Sequence, residues 1–325
     1  MVLGVVYSIL VSVLFSAFAI PRKFTKQNSL AYTIWVGMAF FITTALFYFV
    51  MSISGLGYNE NLFSVWHLMS AGQGILWAVG SACVFSAVDK IGLSKSTQWK
   101  NLQGPIAAVL MLIFLSDVVG LKILFVVGGT LAMFISALLF SIQNKQQSKK
   151  QSVGAVLLSL AGALCYGLCA FSQKMLTNQG FVFSPVVYFS LFVFITATII
   201  YAIKHKNIKS AFVPTEPLLI NPFKKEYSAE SHDLPMQKQK LSVFKQMLPP
   251  IIVGVVYSAA AILNMLAYKE IAGSVAFSII QLNTVWTILA GILIFKEINF
   301  KQNVLRITLG FVFAIGAIAL LVFAL

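Results

Sequence analysis

Apolar residues run along this chain in long, nearly unbroken stretches, and polar residues gather between them. Segments 2–20, 30–52, 66–88, 94–116, 119–142, 153–175, 183–203, 248–268, 273–295 and 302–325 each approach the roughly 20 residues a helix needs to cross a bilayer. The pattern predicts an all-α integral membrane protein of ten transmembrane helices. Barrel strands do not fit, because they alternate over about ten residues. Composition agrees: only 10% of residues are charged and mean hydropathy is +0.90, whereas soluble domains carry about 25% charged residues. Residues 1–20 have no basic residue ahead of their apolar run; Arg22 and Lys23 follow it. They are therefore expected to be an uncleaved first helix. Cys83, Cys165 and Cys169 all lie inside apolar runs, where they predict packing residues rather than a disulfide framework or metal site.

The net charge of +14 takes its meaning from where it sits. Alternate connections hold Arg22, Lys23, Lys26, Lys90, Lys95, Lys145, Lys149, Lys150, eight lysines between 204 and 245, Lys296 and Lys301. The other connections hold Lys122, Lys174 and Lys269. Such asymmetry is a positive-inside bias, not a nucleic-acid footprint. It predicts a plasma (inner) membrane protein of bacterial type with both termini outside and loop 204–247 in the cytoplasm. That loop, with KKEYSAESHDLPMQKQK, reads as a disordered linker able to brush anionic lipid.

The chain also repeats itself. DKIGLSKSTQWKNLQ (89–103) lies over KEIAGSVAFSIIQLN (269–283) at an offset of 180. The same offset sets Gly74 on Gly254, Trp77 on Tyr257, Leu102 on Leu282 and Asp117 on Glu297, while the first and sixth segments match at about 150. Residues 1–142 and 153–325 are thus read as two five-helix repeats joined by a cytoplasmic linker, 143–152. Because five is odd, the second copy enters the membrane upside down, the inverted repeat of secondary transporters.

Polar residues recur within the repeat. Ser94, Gln98 and Asn101 share one helix face and correspond to Ser274, Ser278 and Gln281. Asn101-Leu102-Gln103 becomes Gln281-Leu282-Asn283. Two inverted copies are expected to bring these amides together near the midplane, where they suit a neutral, hydroxyl-rich solute. Hydrogen bonds between helices are the alternative use of the same residues. Pro105 has no N–H for the carbonyl of Asn101, so a kink or break is expected in the fourth segment; the ninth has no matching proline. Trp77 and Tyr257 supply aromatic faces for a sugar ring, and Gln73 and Asn264 are further inward candidates. The substrate-binding set is Gln73, Trp77, Gln98, Asn101, Gln103, Tyr257, Asn264, Ser278, Gln281 and Asn283.

The nine acids all fall in connections or at helix ends, so no mid-membrane carboxylate relay or counter-charge for a cationic solute is expected. Lys100, about 9 Å into its helix, is the deepest cation. No phosphate loop, metal-ligand cluster or nucleophile arrangement is present. The expectation is a protein that is not an enzyme, uses no cofactor and has a small sugar-like solute and membrane lipids as partners. Assembly as a homodimer is open to it.

At GILWAVGSACVFSAVDKIGLSK (74–95) and YKEIAGSVAFSIIQLNTVWTILAGILIFKE (268–297) the chain resembles the glucose/ribose porter family of the drug/metabolite transporter superfamily. The shared positions are Gly74, Trp77, Ile91, Gly92, Ser94, Lys95, Gln281, Leu282, Asn283, Gly291 and Glu297. The resemblance implies an EamA-like, ten-helix importer of neutral sugars, usually proton-coupled. Ser96-Thr97-Gln98-Trp99-Lys100 replaces a small Ser-Thr-Gly stretch, and Asp117 stands in place of a Glu. Two other readings stay open: a drug or metabolite exporter of the same superfamily, and a non-transporting scaffold or sensor acting through loop 204–247. The topology is tested by cysteine accessibility: Gln147→Cys is expected to resist an impermeant maleimide added to intact cells, and labelling from outside refutes the orientation.

Overall fold

The computed structural model describes residues 1–17, 21, 27–55, 60–91, 96, 99–140, 153–205, 208–212, 237–293 and 300–325. Its helices are α1 (Val2–Ser16), α2 (Ser29–Ile53), α3 (His67–Ile91), α4 (Gln103–Phe114), α5 (Lys122–Phe140), α6 (Val153–Asn178), α7 (Ser184–His205), α8 (Lys209–Phe212), α9 (Gln237–Glu270), α10 (Gly273–Ile280), α11 (Asn283–Leu293) and α12 (Phe300–Phe323). No strand occurs among the described residues. Among the described residues seven helices are long and apolar enough to cross a membrane, and α1 and α4 are shorter apolar helices. The chain is a multi-pass membrane protein.

Two departures from the hydropathy reading have physical causes. The loop 204–247 is not irregular throughout: α9 begins at Gln237 and runs through Pro249-Pro250, with α8 ahead of it. The polar composition that suggested disorder also suits the end of a helix extending beyond an apolar segment. Second, the segments read as 94–116 and 273–295 are not continuous helices. In the first, Asn101 and Leu102 form a turn before α4, and in the second Gln281 and Leu282 separate α10 from α11.

Packing follows small residues. α1 buries Gly4, Ser8, Val11, Ser12 and Ser16, and α6 buries Ala155, Ser159, Gly162, Ala163 and Gly167; each pair lies 151 apart. Ser8 Oγ donates to the Gly4 carbonyl at 2.8 Å and Ser159 Oγ to the Ala155 carbonyl at 3.2 Å. These hydroxyls thus reach the helix face without leaving a polar atom unpaired. The α1 stripe meets α9 and the α6 stripe meets α3, while α2 packs on α7 and α9, and α3 on α7. On the other side of the bundle α5 packs on α12, and α4 touches α6, α5 and α10.

At two glycines, neighbouring backbone comes within reach of a Cβ. A Cβ on Gly74 would lie 2.5 Å from the Phe189 carbonyl oxygen, 2.6 Å from Phe192 Cβ and 3.0 Å from Val193 N. A Cβ on Gly254 would lie 2.6 Å from the Val36 carbonyl oxygen, 2.6 Å from Ala39 Cβ and 2.9 Å from Phe40 N. The three atoms correspond one to one, shifted by 153 residues, while the glycines stand 180 apart. Because two of the three atoms are backbone, the helices must separate to admit a methyl group. Gly74→Ala and Gly254→Ala are each expected to destabilise by about 1–3 kcal/mol, read as a lower melting temperature of the purified protein. Gly316→Ala, where a Cβ meets nothing within 4 Å, is the control.

Candidate functional site

The two helix interruptions share one hydrogen-bond pattern. Leu102 N donates to Trp99 O and Gly104 N to Asn101 O; Leu282 N donates to Ile279 O and Thr284 N to Gln281 O. Regular helical bonding resumes with Ile106 to Leu102 and Trp286 to Leu282. Every bond has its equivalent at an offset of 180. Pro105 is therefore not the common cause, since Val285 takes its place in the second half. Nor is the Asn101 carbonyl free, because Gly104 supplies its donor at 3.3 Å. At the second break a side chain replaces the missing ladder bond. Gln281 turns its backbone N–H to Ser278 O, and its Nε2 reaches the Phe277 carbonyl at 3.4 Å.

The amides meet where the interruptions face each other. Gln103 Nε2 donates to Gln281 Oε1 at 3.1 Å, with both residues 6% exposed. Gly104 makes room, since a Cβ there would lie 2.9 Å from Gln281 Cγ. Ser278 hydrogen-bonds Thr130 of α5 at 2.7 Å. Asn101, Gly104, Thr130, Ser278, Gln281 and Thr284 border a cavity of about 10 Å³, room for one water. Asn283 Oδ1 accepts from Thr284 Oγ1 at 3.2 Å. Gln98 lies outside the described residues.

The other candidates assemble elsewhere. Trp77 and Tyr257 pack with ring centroids 5.3 Å apart. Tyr257 stacks on Phe15 at 5.1 Å, and Trp77 meets Tyr166 at 6.3 Å. Phe15 and Tyr166 are 151 apart, so the two contacts interchange under the repeat. Asn264 Nδ2 donates to Gln173 Oε1 at 2.6 Å. Gln73 accepts the Cys169 thiol on its carbonyl at 3.3 Å and borders a separate cavity of about 480 Å³ with Trp66, Met69 and Ser172. The nine described candidates thus fall into an amide pair with its neighbours, an aromatic group and a polar layer nearer one end.

Charged residues that the sequence reading left in connections hold that end together. Asp117, just past α4, accepts the Ser274 N–H at 2.8 Å and the Ser274 hydroxyl at 3.0 Å. This carboxylate satisfies donors at the start of α10, where the helix dipole favours an anion. Lys174 reads from its place in the chain as a surface residue but is 8% exposed. Its Nζ donates to the carbonyls of Tyr268 at 2.6 Å and Ile271 at 3.2 Å, giving the C-terminus of α9 the cation it favours. Glu60 accepts the N–H groups of Val182, Phe183 and Ser184 at 2.7–3.2 Å and the Ser184 hydroxyl. The alignment of Asp117 with Glu297 was the available signal for the first of these ties; Glu60 and Gln173 carried none.

A family model described as "Sugar transport protein" matches residues 233–324, which run from just before α9 through α12. No curated protein matches the chain. A solved structure described only as "Crystal structure of protein" superposes with a TM-score of 0.66 at 13% identity, covering 98% of both chains. At that identity the likeness shows the fold alone.

Glu60→Gln keeps the shape of the tie at α7 and removes its charge. It is expected to cost about 1.5–3 kcal/mol, the worth of hydrogen bonds to a charged group, seen as a lower melting temperature at neutral pH. An unchanged melting temperature refutes the tie.

Proposed function

We propose that this protein is a secondary transporter of a small neutral hydrophilic solute, a sugar in the first instance, working by alternating access. The observation that carries the reading is the pair of matched interruptions. Two apolar helices stop at equivalent places, and buried amides face each other across the break. Discontinuous helices that bring polar groups into a bundle are what transporters use to bind solutes. The sugar assignment draws on the family match to residues 233–324 and on the neutral amides, which donate and accept but carry no charge.

The architecture proposed is ten transmembrane helices in two inverted repeats: α1–α5 with residues 94–102, and α6–α12 without α8. The contacts support it. Exchanging the halves turns α3 on α6 into α9 on α1, and α3 on α7 into α9 on α2, and all four contacts are present. It also turns the surroundings of Gly74 into those of Gly254. In this orientation the Asp117 and Lys174 ties lie on the outer side. The nine described candidates then form a path, with Gln73 and Asn264 nearer the outside and Asn101, Gln103, Ser278, Gln281 and Asn283 deeper, alongside Trp77 and Tyr257.

Radiolabelled sugar uptake into reconstituted vesicles, with and without a pH gradient, tests the reading. Gln281→Ala and Gln103→Ala are each expected to weaken apparent affinity roughly three- to tenfold, the loss of one neutral hydrogen bond. If the two amides serve only to join helices, the melting temperature falls and affinity in the surviving protein stays unchanged. Deleting the part of loop 204–247 before Gln237 should leave uptake largely intact; its loss favours a scaffold or sensor.

A further inference from the structure

The repeat leaves one place in the amide pair unfilled. At the offset of 180, Gln281 corresponds to Asn101 and Asn283 to Gln103. The bond from Gln103 to Gln281 therefore has a counterpart, Asn283 to Asn101. It is not made. Asn101 is 4% exposed, and among the described residues neither its Nδ2 nor its Oδ1 has a hydrogen-bond partner. Asn283 bonds its neighbour Thr284 instead. A buried amide with both polar atoms unsatisfied is rare in a settled core. The adjoining cavity, about 10 Å³, is too small to put Asn101 in solvent.

Inverted repeats supply a use for it. When the two halves exchange conformations, each contact between unlike positions is replaced by the contact between their equivalents. We infer that Asn101 and Asn283 are positioning residues for the conformational step: they bond each other in the opposite-facing state, as the Gln103–Gln281 bond parts. The step then exchanges one buried amide bond for another at the two interruptions. The inference rests on the transport reading only for the existence of two states. The tie from Asp117 to Ser274 belongs to the present state, because it holds the end of α4 on the start of α10. Weakening it should populate the other state.

Cysteine pairs test this in the full chain, in a parent with Cys83, Cys165 and Cys169 replaced by serine. Asn101→Cys with Asn283→Cys, and Gln103→Cys with Gln281→Cys, are oxidised with copper phenanthroline, with and without Asp117→Ala. Cross-linking of 101 to 283 should speed up with Asp117→Ala while that of 103 to 281 slows, moving their ratio roughly fivefold or more. Absence of the 101–283 cross-link beside a normal 103–281 cross-link overturns the inference. So do rates that ignore Asp117→Ala or move together, the result of a static core with a water at Asn101.

If the cysteine pairs do not fold, a cycle of Asn101→Ala and Asn283→Ala decides. Coupling in melting temperature is expected only in the Asp117→Ala background; coupling in neither background, or only with Asp117 intact, overturns the inference. Sugar uptake is measured on the cysteine-free parent. Reciprocal cross-linking without uptake removes the solute reading and keeps the exchange, and uptake without the 101–283 cross-link removes the exchange alone.

Discussion

A helix that stops inside an apolar bundle leaves backbone groups that lipid cannot satisfy, and this constraint shapes the centre of the molecule. An unpaired polar group in hydrocarbon costs several kcal/mol, so two interruptions persist only if the surroundings complete them. Here the completion is local. The chain tightens to shorter-range bonds at Leu102, Gly104, Leu282 and Thr284, and Gln281 lends its side chain to the Phe277 carbonyl. Gly104 then lets Gln281 lie against the opposing helix, and Gln103 supplies a donor for its oxygen. Once the breaks are satisfied in this way, polar side chains reach a depth that an unbroken apolar helix would deny them.

The ends of the bundle obey the same constraint by other means. α9 and α10 are joined by a turn with no length to spare, so their exposed carbonyls and N–H groups need partners from elsewhere. Lys174 and Asp117 supply one of each sign, matched to the dipole at each terminus. The cation comes from α6 and the anion from the end of α4, so both are tied to the junction of α9 and α10. Gly273 leaves room for the bound lysine, because a Cβ there would lie 2.7 Å from Lys174 Cγ and 2.9 Å from Met111 Sδ, and these side chains would have to shift.

Much of this was legible in the sequence, and what was not has identifiable reasons. Hydropathy located the helices, because each must present an apolar surface of fixed length. The 180-residue offset paired Trp77 with Tyr257, which the structure packs together, and it set the amides of residues 101–103 over those of 281–283, between which the structure makes the Gln103–Gln281 bond. The break at Gln281 was hidden, since no proline marks it and its cause is a side chain folding back on its own helix. Lys174 looked like a loop residue because sequence shows charge and position but not the carbonyls a folded neighbour turns toward it. Asn264 was singled out without its partner, as Gln173 lies 91 positions earlier and belongs to no repeated motif. The helical start of α9 was obscured by composition, which separates apolar from polar but not helix from coil among polar residues.

The stripes on α1 and α6 carry a consequence about origins. Five positions 151 apart are buried on both helices, and the helices they meet, α9 and α3, are equivalents in the proposed repeat. A surface that recurs in this way is self-complementary about a two-fold axis: each half presents to the other what the other presents to it. An unfused ancestor of half the length, inserted in both orientations, would have satisfied these contacts as a pair of identical subunits. On the proposed repeat, fusion would have freed the two copies to diverge wherever the axis no longer demanded identity, as at Gln73 opposite Val253 and Asn264 opposite Val84, where polar character stands in one half alone.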